Sequence, residues 1–333
     1  MSEPSAPEPV APDPAAAESS AANVEAPSPQ RPWAIAVRWV FYAAIVAAFA
    51  WFLTSVDWHA LDGLEVGWAW VIVASLVALA FRYLGVVVWR VVLARLGAAH
   101  LPRFAVMADI YAKAWLARYI PGTIPWIAGK VYLAAEQGVS KSRLAVSTLV
   151  EAAAQIVAVG AVSLTLLALD PRIGEISPTL RVLVAVGAVL GFVAMTPPVF
   201  NRFLTLGFRL LKRGEATHVG WDVVGSSLGL YGVGAAVSGL AYALLLKAIV
   251  PETGAGDLLF LVGAFGFAGV VGMLTPLVPS GLGTRDAAQM VLLLVVLPAP
   301  TAALVVIVSR VWSAAVDVLF WAVATVVGRA ARS

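Results

Sequence analysis

WAWVIVASLVALAFRYLGVVVW, residues 68–89, is an apolar run of 22 residues whose one charge is Arg82. A helix rises 1.5 Å per residue, so about 20 apolar residues cross the hydrocarbon core of a bilayer. Five further stretches meet that length: 34–54, 144–168, 180–199, 221–247 and 301–326. Composition agrees. Of 333 residues, 61% are hydrophobic and 12% charged, and mean hydropathy is +0.91; soluble domains are about half apolar and a quarter charged. These figures argue against a soluble enzyme, a nucleic-acid binder and a disordered regulator. The expected fold is an all-α integral membrane protein with about six transmembrane helices.

Residues 1–30 stand apart. Seven prolines sit among Ala, Ser and five acids, and no basic residue precedes Arg31. Such a stretch buries too little apolar surface to offset its ordering entropy. It reads as a disordered cytoplasmic tail, ahead of a transmembrane domain over 31–333. It lacks the positive start and immediate apolar run of a secretory signal. There is no cysteine, hence no disulfide, thiolate metal site or Cys nucleophile. His59, His100 and His218 are far apart in the chain, so neither a zinc site nor a cofactor is expected.

Two more apolar regions, 104–140 and 258–298, are interrupted by Tyr119-Ile120-Pro121-Gly122-Thr123-Ile124-Pro125 and by Thr275-Pro276-Leu277-Val278-Pro279-Ser280-Gly281-Leu282-Gly283. Each reads as helix, break, helix. The preferred expectation is two broken re-entrant hairpins, since irregular backbone at membrane depth must be surrounded by protein or a wet cavity. The competing count has eight or more full crossings, and 258–276 alone is long enough for one. With hairpins and a cytoplasmic N-terminus, 17 of the 22 basic residues fall on the cytoplasmic side, Arg82 among them. Arg172, Arg181, Lys247 and Arg285 fall outside or at the outer boundary, and Arg310 lies within a span. Acids such as Asp57, Asp170, Glu252 and Asp257 occupy the outer loops. The Lys/Arg bias therefore places both termini in the cytoplasm.

The order span, span, broken hairpin, span then occurs twice, over 34–168 and 180–326. Each half makes an odd number of crossings, so the second is inverted, a transporter pattern. Chance similarity between Ala/Val/Leu-rich segments is the competing explanation.

Glu151 stands inside a span, with Ser147 and Gln155 one turn away on its face. Arg310, Ser313 and Asp317 form a comparable stripe on the last span. A charge in hydrocarbon costs several kcal/mol unless paired or hydrated. The structural reading is a Glu151–Arg310 pair clamping the halves, or an Arg310–Asp317 contact; the functional reading is a polar lining for a headgroup or a proton relay. Around Pro121 and Gly122 lie Lys113, Arg118 and Lys130, with Asp109 one turn before Lys113. A helix restarting there offers backbone N–H groups to an anion; alternatively, Arg118 and Lys130 reach toward lipid headgroups. Gly281 and Gly283 permit a tight turn before Arg285 and Asp286. Gly263, Gly266, Gly269 and Gly272 recur every third residue and invite close helix packing. Arg202, Arg209 and Arg213 share one side of a helical projection opposite Phe203, Leu206 and Leu210, as in an interfacial helix.

The stretch Arg118-Tyr119-Ile120-Pro121-Gly122 resembles the Tyr-Leu-Pro-Gly element of the lysylphosphatidylglycerol synthase transmembrane-region family, the flippase-like domain proteins. Lys130, Glu136-Gln137-Gly138-Val139-Ser140 and Glu151 resemble the Gly-Ile-Ser and Glu that come after that element in the family. Pro279-Ser280-Gly281-Leu282-Gly283-Thr284-Arg285-Asp286 resembles the family's Pro-x-Gly-Leu-Gly-x-Arg-Glu element. The resemblance covers most of 34–328. Ile120, Val139 and Asp286 are conservative departures, and Thr123 stands where Lys often comes after Pro-Gly. The resemblance implies a module that moves phospholipid-like molecules between leaflets, without the catalytic domain of the lipid-synthesising members, hence no enzyme. The expected function is translocation of an anionic phospholipid or lipid-linked precursor across a bacterial-type inner membrane. Its expected partners are membrane lipids, with no nucleic acid. Two alternatives stand: a non-transporting scaffold subunit for envelope lipid or glycan synthesis enzymes, and an ion-coupled solute transporter.

Overall fold

The computed structural model describes residues 66–98, 100–120, 124–172, 178–210, 218–275 and 283–332, with five isolated positions before residue 55. The 1–30 tail, nearly all of the 34–54 span, and Pro121, Gly122 and Gly281 lie outside the described residues. The chain divides into Met1–Ala44 and Ile45–Ser333, and the elements below belong to the second unit.

Every regular element among the described residues is helical: α1 Trp68–Arg95, α2 Phe104–Leu116, α3 Ile124–Ala135, α4 Lys141–Leu169, α5 Pro178–Met195, α6 Pro197–Leu210, α7 Trp221–Ile249, α8 Ala255–Leu274, α9 Thr284–Leu293 and α10 Ala299–Ala330. A 3-10 turn, Ala117–Tyr119, extends α2. Five helices (α1, α4, α7, α8 and α10) are long and apolar enough to cross a membrane. The expected spans 68–89, 144–168, 221–247 and 301–326 fall in four of these. The fifth, α8, has 20 residues, so the second interrupted region is a full-length helix with the ten-residue α9 after it. The first region is different. Its arms have 13 and 12 residues, about 20 Å and 18 Å long, too short to cross alone.

The expected 180–199 span ends early. Helix α5 stops at Met195, and the chain turns by 66° into α6. Pro197 and Pro198 cause the break, because proline lacks an N–H and disfavours helical backbone in the residue before it. Along α6 the arginines Arg202 and Arg209 are exposed while Leu204 is buried; Arg213 lies outside the described residues. Helix α1 stops differently. Gly97, at φ 78°, lets its N–H reach Ala94 O while Ala98 N–H reaches Leu93 O, a left-handed C-terminal cap that glycine adopts without Cβ strain.

Three apolar clusters join the helices. Ala74 and Ala78 of α1 meet Tyr242 and Leu245 of α7 and Phe260 of α8. Trp89, Met107, Tyr111, Trp115 and Phe320 unite α1, α2 and α10. Val88, Val146, Val150, Val223 and Tyr231 unite α1, α4 and α7. The helix ends are also tied. Arg95 donates to Asp222 O at 2.6 Å, joining the end of α1 to the start of α7; Gly67 N donates to Ala248 O at their other ends. Arg103 donates to Ala331 O, and Arg332 to buried Asp109 at 2.7 Å, so the start of α2 meets the end of α10. Arg172 bonds both Asp170 and Asp257, so the end of α4 meets the start of α8. The Arg172 side chain holds the Asp170 carboxyl below its ordinary range by hydrogen bonding.

The glycine pattern on α8 splits in two. A Cβ on Gly266 would run into Ser163 of α4, and one on Gly263 would stand 3.1 Å from Leu166 Cβ. Gly269 and Gly272 line a cavity that Gly266 also borders. At the α2–α10 crossing, a Cβ on Gly328 would lie 2.6 Å from Asp109 Cβ and 3.1 Å from Ala105 O. Neither atom is the mobile end of a side chain. Gly328→Ala is therefore expected to cost about 1–3 kcal/mol through overpacking, read as a lower midpoint of thermal unfolding in detergent; an unchanged midpoint would show that α10 moves away freely.

Candidate functional site

A cavity of about 400 Å³ opens among α1, α2, α4, α7, α8 and α10. Leu149, Ile156, Val159 and Leu166 of α4 and Val262 and Met273 of α8 give it apolar walls. Its charged lining is Arg82, Arg118, Arg285, Arg310 and Asp317, with Gln155, Ser238 and Ser313 beside them. A cavity with apolar walls and a few convergent polar groups is the usual form of a small-molecule site. Here the charges are unequal, and each has a traceable origin.

Asp317, buried on α10, is the hub. Arg82 Nε donates to its Oδ1 at 2.7 Å, Trp115 Nε1 donates to the same oxygen at 3.0 Å, and Tyr119 OH donates to Oδ2 at 2.9 Å. Arg118 reaches Oδ2 only at 3.9 Å and lies over the Trp115 ring, 4.7 Å from its centre. One carboxylate is thus shared by two guanidiniums, and Arg82 takes the tight bond. The expected Arg310–Asp317 contact is replaced by these partners, because α2 and its 3-10 turn deliver Trp115, Arg118 and Tyr119 to the same level of α10. Arg118 lines the cavity.

Across the cavity, Arg310 bonds Asp286 of α9. Asp286 also accepts from Gly283 N–H at 3.0 Å, a reach across the helix start made possible by the positive φ of Gly283, 82°. Arg285 lies 5.0 Å from the centre of the Phe265 ring. Among the described residues, no carboxylate is within ion-pair distance of Arg285; Arg118 and Arg310 repel it, and Asp286 attracts it from further off. Four guanidiniums therefore face Asp317 and, through Arg310, Asp286. Among the described residues the difference, four minus two, is an excess of two positive charges.

Beside the cavity sits a closed pair. Lys130 of α3 donates to both oxygens of Glu151 of α4, at 2.8 and 2.9 Å. Their side chains are 0% and 1% exposed. The ammonium is flanked by Tyr111 and Trp89, 4.4 and 4.5 Å from the ring centres, and by Trp126 at 5.8 Å. Tyr231 OH approaches Glu151 Oε2 at 3.4 Å, and Trp89 donates to Ser147 at 3.2 Å. A Cβ on Gly85 would stand 2.6 Å from the Tyr111 hydroxyl, so that glycine makes room for the cage. The expected Glu151–Arg310 clamp is absent: α3 brings Lys130 to Glu151 first, and α9 brings Asp286 to Arg310.

The other sequence candidates sort cleanly. Gln155 lines the cavity one turn beyond Glu151. Lys113 pairs with Asp109 at 2.8 Å and is not among the lining residues. Sequence reasoning missed Arg82, counted on the cytoplasmic side although it was the one charge in its run. It also missed the aromatic partners Tyr111, Trp115, Tyr119 and Tyr231, whose type alone does not separate a binding role from packing.

Removing one member of a buried ion pair strands the other charge and costs about 3–5 kcal/mol, whereas replacing both with apolar groups is near neutral. Lys130→Met is accordingly expected to destabilise the protein by that amount, and Lys130→Met with Glu151→Leu to recover most of it. A double variant no more stable than the single one would mean that the aromatic cage requires the cation. Comparisons of the chain with protein-family models, with curated proteins and with solved structures gave no match.

Proposed function

We propose that this protein moves an anionic phospholipid or lipid-linked precursor between the leaflets of a bacterial-type inner membrane. The observation that carries the reading is the excess of two positive charges in a cavity with apolar walls. A phosphate is a bidentate acceptor for guanidinium, so Arg285 and Arg118 hold the headgroup. The walls from α4 and α8 admit acyl chains. The resemblance of the two interrupted motifs to the flippase-like family agrees with this assignment.

An inverted repeat supports alternating access to that site. Exchanging α1 with α7, α2 with α8, α3 with α9 and α4 with α10 carries the packing pairs onto one another. Helix α2 packs on α10 as α8 packs on α4; α1 meets α10 as α7 meets α4; α3 meets α4 as α9 meets α10. The second arm of each interrupted region also sends one ion pair to the next long helix, Lys130 to Glu151 and Asp286 to Arg310, with the signs reversed. In this reading α2–α3 enters from the cytoplasm and α8–α9 from outside. The level holding Arg95, Arg103 and Arg332 is cytoplasmic, as the positive-inside rule requires.

The test is movement of a fluorescent phosphatidylglycerol in liposomes containing the full chain. Arg285→Gln strands no carboxylate, so it isolates recognition from folding. A charge-assisted hydrogen bond contributes about 1.5–3 kcal/mol, so transport is expected to fall at least about tenfold, with a similar loss for Arg118→Gln. Full transport by both variants, or no lipid movement by the unaltered protein, would overturn the reading.

A further inference from the structure

The buried pair Lys130–Glu151 has no place in headgroup recognition, since neither residue lines the large cavity. It is nonetheless one residue layer away. A second, small void of about 10 Å³ lies between them, bounded by Tyr111 and Tyr231 on the pair's side and by Arg82, Trp115 and Gln155 on the cavity's side. That is about the least such space that holds one water, and a stable internal water needs two to four polar partners. Tyr111, Tyr231, Gln155 and Arg82, all among the residues that line it, carry polar groups of that kind.

We infer that this protein couples lipid movement to protons, which pass between the cavity and the Glu151 carboxylate through one water and the Tyr231 hydroxyl. This rests on the transport reading and adds its energy source. A proton arriving from the cavity binds the water; the water gives a proton to the Tyr231 oxygen as Tyr231 gives its own to Glu151 Oε2. One proton has then moved from cavity to carboxylate, and water and phenol are restored. The groups facing Glu151 are Lys130 of α3, Tyr231 of α7 and, behind them, Tyr111 of α2. Protonation cancels the charge that holds Lys130, so the attraction joining α3 to α4 is lost. Helix α3 carries Trp126 and Ile127 into the cavity wall, so the pair's charge state is communicated to the lipid site by the helix itself.

The same liposomes, loaded with a pH-sensitive dye and carrying fluorescent phosphatidylglycerol in phosphatidylethanolamine, read both fluxes. The expected result is that an imposed pH gradient accelerates lipid movement in one direction several-fold and that internal pH shifts with the lipid. Tyr231→Phe keeps the ring and removes the relay hydroxyl; it should keep lipid movement at equal pH and lose the response to the gradient. Glu151→Gln should lose the response as well. Lipid movement indifferent to the gradient in the unaltered protein overturns proton coupling and leaves the transport reading intact. Response to the gradient retained in Tyr231→Phe overturns the route. Absence of lipid movement under every condition overturns both.

Discussion

A carboxylate inside a bilayer is sustained only by partners, and Asp317 has four: two guanidiniums, an indole and a phenol. They come from α1, from α2 and from the turn behind α2. The cost of leaving that charge unpaired therefore holds three segments against α10. Much of the site derives from that constraint. Arg82 is consumed by the carboxylate, Arg118 is drawn toward it without closing the bond, and the surplus charge faces the cavity. A second carboxylate beside Asp317 would cancel the one charge by which Arg82 and Arg118 outnumber it; none would leave Arg82 unpaired inside a span.

The other buried charges obey the same rule with a different outcome. Lys130 and Glu151 satisfy each other and are sealed by aromatic rings. Arg310 and Asp286 satisfy each other at the cavity rim, where both stay partly exposed. A closed pair, a rim pair and a shared hub thus sit within one bundle. What separates them is solvent access: the pair is sealed, the rim is partly exposed and the hub borders the cavity.

The membrane-helix class is legible from run lengths, since 68–89, 144–168, 221–247 and 301–326 each meet the span length with few charges. The bend at Met195 is written in Pro197-Pro198 but masked by the apolar run that continues through it. Helix α8 is long enough to span by itself, yet the Pro-Gly break after it makes the region look like a pair of short arms. Residue type flags charges that the structure gathers in or beside the cavity, Lys130, Glu151, Arg285, Arg310 and Asp317. Pairing is not legible. Spacing along one helix suggests Arg310–Asp317, and opposite charges on the last span of each half suggest Glu151–Arg310; contacts from α3, α9 and α2 depend on how the chain returns after each break. Arg82 is hidden by the charge count itself, which assigns a residue to a side of the membrane and has no category for the middle.

The divided glycine pattern of α8 has a mechanical meaning. Where Gly263 and Gly266 meet α4, their missing side chains make room for Ser163, Leu166 and Leu167; one to two turns on, Gly269 and Gly272 line the cavity. One helix is therefore both the riveted seam and the smooth bore of the same chamber. Between the Val262, Phe265, Val270 and Met273 side chains that this helix also presents, two bare backbone positions set the width of the chamber without any rotamer to hold in place.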